Sequence, residues 1–106
     1  MNLRVVMPLP SHRQFAFDWW VTTYPPLKVA PGDELTFIFE TGTHDVYTVQ
    51  TQEEFDTCNL LNAQVVSDTG PVTVAIDSTM SGQTMYYVCT VEGHCQGGQK
   101  LEVIIS

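Results

Sequence analysis

Apolar and polar residues alternate with a period of two along much of the chain, most clearly where Leu35, Phe37 and Phe39 interleave with Thr36, Ile38 and Glu40. Successive side chains of a strand point to opposite faces, so this segment predicts a strand with one well-buried face. The same pattern returns in Val72, Val74 and Ile76 after the Gly70-Pro71 break, in Met85, Tyr87 and Cys89, and in Leu101, Val103 and Ile105. Val46 to Gln50 reads as a strand behind the loop signal Thr41-Gly42-Thr43. Leu3 to Met7 and Phe15 to Val21 are β-branched and aromatic stretches separated by Pro8, Pro10 and Ser11, which predicts two more short strands. Tyr24-Pro25-Pro26 interrupts the chain after the second of these, and Pro31-Gly32-Asp33 marks a turn.

One segment breaks the period. Thr51-Gln52-Glu53-Glu54 fits a capping box, the Thr51 hydroxyl accepting from the Glu54 backbone and the Glu54 carboxylate reaching back, and predicts a short helix over Glu53 to Leu60. Roughly seven short strands with turns between them and a single short helix define an all-β class, an antiparallel Greek-key β-sandwich. Immunoglobulin-like sandwiches share this pattern.

Composition narrows the class. With 106 residues, 43% of them hydrophobic, the chain can fill one core but not two, so residues 1–106 are expected to form a single monomeric domain. Four Lys and Arg against twelve Asp and Glu give a net charge of −8, which argues against binding nucleic acid or anionic lipid and favours a basic protein partner. No apolar stretch approaches the roughly 20 residues that span a bilayer, and Met1 to Pro10 lacks the apolar core of a secretory signal. There is no Asn-x-Ser/Thr sequon. The three cysteines are an odd number: in an oxidising compartment two can pair while one is left for other chemistry, and the count alone does not say which.

Cys89, His94 and Gln99 follow one another at Cys-x4-His-x4-Gln spacing, on a strand end, the following loop and the start of the last strand, so one loop presents all three. A thiolate, two imidazoles and a weak axial donor suit copper in both oxidation states, since soft sulfur favours Cu(I) and imidazole serves either. His44, behind a core-forming strand, is the best source of the second imidazole and leaves His12 uncommitted. Taken singly, each residue has a plainer reading. His44 would be a surface histidine, Cys89 a small buried hydrophobe, His94 a loop residue beside a half-cystine, and Gln99 a solvated strand start displaced as donor by Met80 or Met85. Trp19, Trp20, Phe15 and Phe17 read as core or its rim, and Glu53, Glu54 and Asp56 as a solvated helix face.

Four segments resemble the phytocyanins, plant-type blue-copper proteins of the cupredoxin fold. They are Pro31-Gly32-Asp33-Glu34-Leu35-Thr36-Phe37, Thr43-His44-Asp45-Val46, Phe55-Asp56-Thr57-Cys58, and Tyr86-Tyr87-Val88-Cys89 continued by Gly93-His94-Cys95-Gln96-Gly97-Gly98-Gln99-Lys100. The resemblance covers about Leu27 to Ser106. The first quarter departs from it, with Pro10-Ser11-His12-Arg13-Gln14 in place of a Gly-Trp segment and a long Trp20 to Gly32 stretch. The resemblance implies that His44, Cys89 and His94 are the strong ligands of one type 1 copper ion cycling between Cu(I) and Cu(II). It also implies that Cys58 and Cys95 form a disulfide and that axial Gln99 makes the site stellacyanin-like. Independently, neighbours in extended backbone point opposite ways, which turns Cys95 from the metal that His94 faces.

The implied function is outer-sphere one-electron transfer rather than enzymatic turnover, with a basic protein or a small-molecule reductant as redox partner. The alternative is a non-redox copper- or zinc-binding protein, or a metal-free interaction module of the same fold. The implied location is extracellular or cell-surface, with the signal and any membrane anchor outside this chain.

Overall fold

The computed structural model describes residues 12–106, and the strand expected over Leu3 to Met7 lies outside them. In chain order the elements are β1 (Gln14–Asp18), β2 (Leu27–Val29), β3 (Glu34–Ile38), β4 (Val46–Val49), α1 (Gln52–Thr57), β5 (Gln64–Ser67), β6 (Val72–Ala75), a 3-10 turn over Ser78–Met80, β7 (Thr84–Val88) and β8 (Lys100–Ile105). They form a three-stranded sheet in the order β1-β3-β6 and a five-stranded sheet in the order β2-β8-β7-β4-β5. Side chains from both sheets meet in one core containing Leu35, Phe37, Ile76, Tyr87, Leu101 and Val103. The alternating apolar positions of β3, β7 and β8 supply half of its buried residues.

The sandwich is as expected, but its sheets are mixed rather than antiparallel. β1 runs parallel to β3 and β2 parallel to β8, while the remaining pairs are antiparallel. The cause is the route of the chain: between β1 and β3 it visits the other sheet to form β2, so β3 returns in the direction β1 left. Parallel neighbours need such a crossover, whereas a tight hairpin would make them antiparallel. β1 also stops at Asp18, short of the expected Val21, because the phenol of Tyr24 donates to the Asp18 carbonyl at 2.5 Å and closes a loop there. Strands β2 and β5, short and interrupted by polar residues, had no clear alternation to announce them.

Asp33, read as a turn residue, is completely buried. It accepts from the backbone of Ala30 at 2.8 Å and of Arg13 at 3.0 Å, and it pairs with the Arg13 guanidinium at 2.8 Å. That carboxylate therefore fastens the approach to β1 against the turn that opens β3.

β7 is buried on both faces at its end. Tyr87 and Cys89 face the core between the sheets, while Val88 joins Val49 and Cys95 in a second cluster backed by Phe55 and Leu60. The helix in that cluster carries the expected capping box between Thr51 and Glu54. It ends earlier than the expected Leu60 because Cys58 adopts a left-handed conformation, φ 52°, and its N–H turns back to the carbonyls of Glu54 and Phe55. Lys100 seals that end, its Nζ donating to the Phe55 carbonyl at 2.7 Å while lying 4.9 Å from the centre of the Phe55 ring.

Burial pushes the Tyr87 phenol up to about 12. Below pH about 10 the phenol is neutral in folded and unfolded chains alike and does not affect stability. Between about 10 and 12 only the unfolded chain ionises, so Tyr87 removes about 1.4 kcal/mol of stability per pH unit. Urea denaturation across that window should show a steeper loss in the wild type than in Tyr87→Phe, and equal slopes would refute this role for the residue.

Candidate metal centre

Four side chains converge at one end of the sandwich. His44 lies in the loop between β3 and β4, Cys89 directly follows β7, His94 sits in the turns that come next, and Gln99 directly precedes β8. Gly42, at φ 92°, supplies the left-handed turn that brings His44 round, and the Thr43 hydroxyl donates to the Glu40 carbonyl at 2.6 Å to close it. The other loop is fastened at its base. The Cys89 N–H donates to the Gln99 carbonyl at 3.1 Å, and the Gln99 N–H to the His94 carbonyl at 3.0 Å. Gly98, at φ 106°, lies so close to the Trp20–Thr23 segment that a Cβ there would meet the Thr22 carbonyl oxygen at 2.8 Å.

The His44 and His94 Nδ1 atoms are 3.1 Å apart, and Cys89 Sγ is 3.5 Å from His94 Nδ1. All three ligand atoms lie within 4.8 Å of one another, close enough to share one metal ion. Cys89 is fully buried and free, while Cys58 and Cys95 form a disulfide. Cys95 does face away from this cluster, into the one behind α1. The expected reason was wrong, however: residues 92–98 are a run of turns, not extended backbone, and the reversal comes from bonds such as the Gly97 N–H to the His94 carbonyl at 3.1 Å. Met80 and Met85 pack against the main core, and His12 is exposed and outside the cluster.

Burial, and then the neighbouring His94, lower the His44 pKa, so the ring favours the neutral form that a metal requires. Burial raises the Cys89 thiol, and the backbone amides of Asp45 and Val91 beside the sulfur oppose that rise. A bound cation would shift the balance much further, since a coordinating thiol is deprotonated outright. Gln99 is the telling residue. It is completely buried, and neither its amide oxygen nor its amide nitrogen has a hydrogen-bonding partner, although it lies near enough to His44 to favour the protonated ring slightly. An unsatisfied buried polar group costs about 1–3 kcal/mol. A metal beside the three strong donors would give the amide oxygen a partner, and thiolate, imidazole and amide together fit copper.

Behind the ligands lies a set of bonds that reading the sequence for ligands overlooked. Asp45, next to His44, accepts from the Thr90 N–H at 2.7 Å and the Thr90 hydroxyl at 2.5 Å, and Thr90 is next to Cys89. Trp19 donates its indole N–H to the Asp45 carbonyl at 2.8 Å. An acid after one candidate ligand and a hydroxyl after another was a usable signal for the first pair. Nothing in the alternation of apolar residues could have pointed to the indole N–H.

A two-sheet sandwich with a thiolate, two imidazoles and a buried amide gathered at one end defines a cupredoxin-type domain. Residues 14–99 match the plastocyanin-like domain family, and the chain belongs to that family and, within it, to the phytocyanins. It is 40% identical to the cucumber peeling cupredoxin of Cucumis sativus over 73 residues, 68% of this chain and 51% of the relative. It is 35% identical to a blue copper protein of Arabidopsis thaliana over 74 residues, 70% of this chain and 36% of the relative. Among solved structures it is similar to cucumber stellacyanin, with a TM-score of 0.71 and 30% identity, covering 90% of this chain and 96% of that one. The chain spans about half the length, 51%, of the cucumber relative.

Proposed function

We propose that this domain holds one copper ion as a type 1 centre through His44, Cys89, His94 and axial Gln99, and serves as an outer-sphere one-electron carrier. The observation that carries this reading is the buried, unpartnered Gln99 amide beside a thiol and two imidazoles within 4.8 Å of one another. A copper ion there supplies the one-electron couple. The chain's own contribution is rigidity, for backbone hydrogen bonds hold the loop that carries Cys89, His94 and Gln99, and Cys89 and Gln99 are fully buried, so little rearrangement accompanies a change of oxidation state. Relatives in the same family carry the names cupredoxin and blue copper protein, which supports the reading.

His94 lies between exposed residues, Val91 to Gly93 on one side and Gln96 and Gly97 on the other, so its edge is where a partner approaches. The net charge of −8 favours a basic partner. Turnover chemistry is disfavoured by the histidine count: of three in the chain, two are in the site, too few for a second copper centre. The disulfide supports an oxidising, extracellular or cell-surface setting. Among the described residues no helix is long and apolar enough to cross a membrane.

Adding Cu(II) to the purified protein should produce an intense blue thiolate-to-copper absorption band that is lost entirely in Cys89→Ser. A colourless wild type that binds zinc instead would replace electron transfer with metal storage, and a chain that binds neither would be an interaction module.

A further inference from the structure

We infer that Trp19 is a positioning residue of the metal centre, its indole N–H holding the Asp45 peptide and, through it, the spacing of the His44 and Cys89 loops. The inference rests on the copper reading above. Trp19 directly follows β1, in the smaller sheet, and its backbone N–H donates to the Ile38 carbonyl at 2.8 Å at the end of β3. The ring is 1% exposed and is set by its neighbours, with Phe37 at 4.9 Å, Tyr24 at 5.3 Å and Phe17 at 6.2 Å between ring centres. A side chain caged this way has little freedom, so the direction of its N–H is fixed by packing.

That N–H meets the Asp45 carbonyl at 2.8 Å. Asp45 bridges the two ligand loops in turn: it follows His44 directly, its carboxylate holds the backbone and hydroxyl of Thr90, which follows Cys89, and its own amide lies beside the Cys89 sulfur. The indole therefore ties the smaller sheet to a residue on which both loops depend. A phenylalanine would keep an aromatic ring in the core but leave part of the indole's volume empty and the Asp45 carbonyl without this donor. The ring's bulk serves the core, and the N–H adds the bond to the Asp45 carbonyl.

The test compares Trp19→Phe with Val103→Ala, a core truncation in the middle of β8. Both should lower Tm. In the copper-free protein only Trp19→Phe should speed hydrogen exchange at the Thr90 amide beyond the increase that lower global stability gives the core amides of β8, by about tenfold, the effect of losing one buried hydrogen bond. In the copper-loaded protein only Trp19→Phe should shift the blue band and the reduction potential. If Trp19→Phe does not fold, benzothienylalanine at position 19 in a Trp20→Phe chain keeps the bicyclic shape and lacks only the N–H, and the same shifts are expected. Unchanged exchange, band and potential beside a lowered Tm would overturn the inference and make Trp19 purely a core residue. A wild type with no blue band would overturn the copper reading instead, while accelerated Thr90 exchange would still report the tether.

Discussion

Gln99→Met raises the reduction potential of the copper-loaded protein and, in the same molecule without copper, raises stability by about 1–3 kcal/mol. The two effects have different origins. An amide oxygen is a harder donor than a thioether and stabilises Cu(II) relative to Cu(I), so its loss favours the reduced ion. Every tenfold change in that preference moves a one-electron couple by about 59 mV. Without copper, the amide of Gln99 is buried with no partner, and methionine fills a similar volume with nothing left unsatisfied. A redox titration and a pair of urea denaturations read both effects. A potential that does not rise removes Gln99 from the ligand set, and a copper-free variant less stable than wild type would show that the amide has a role in packing rather than in binding.

Removing the disulfide by Cys58→Ala with Cys95→Ala is expected to destabilise the protein by about 4 kcal/mol on the chain-entropy account. The bridge closes a separation of 37 residues, joining the end of α1 to the residue after His94. Because Cys95 is also 1% exposed within the cluster of Val49 and Val88, its loss loosens the turns that carry His94 as well as the unfolded chain. The double variant should therefore unfold at markedly lower urea and also bind copper more weakly. A loss below about 1 kcal/mol would mean that packing and the Lys100 seal hold the helix and the ligand turns without the bridge.

These two predictions come from residues of unequal legibility. Gln99 and the Cys58 to Cys95 pair could be picked out along the chain, the first by its spacing from Cys89 and His94 and the second through a family resemblance. The sequence could not show that the Gln99 amide has no partner, because that depends on what surrounds it on every side. Asp33 is a similar case: in sequence it is one residue of a Pro-Gly-Asp turn, and only the fold buries it against Arg13, 20 positions away.

What the chain determined by itself is what depends on neighbours along it. Side-chain alternation assigned the buried faces of β3, β7 and β8, the capping box opened α1, and one short loop grouped Cys89, His94 and Gln99. All of these come from local geometry, in which residues two or four positions apart have a defined relation. The tertiary structure decided the rest: the parallel pairing of β1 with β3 and of β2 with β8, the arrival of His44 beside His94, and the Trp19 bond to Asp45. Alternation says which way a side chain points but not which strand lies beside it or in which direction it runs. Those choices are made by packing between segments distant in the chain, where no local period reaches.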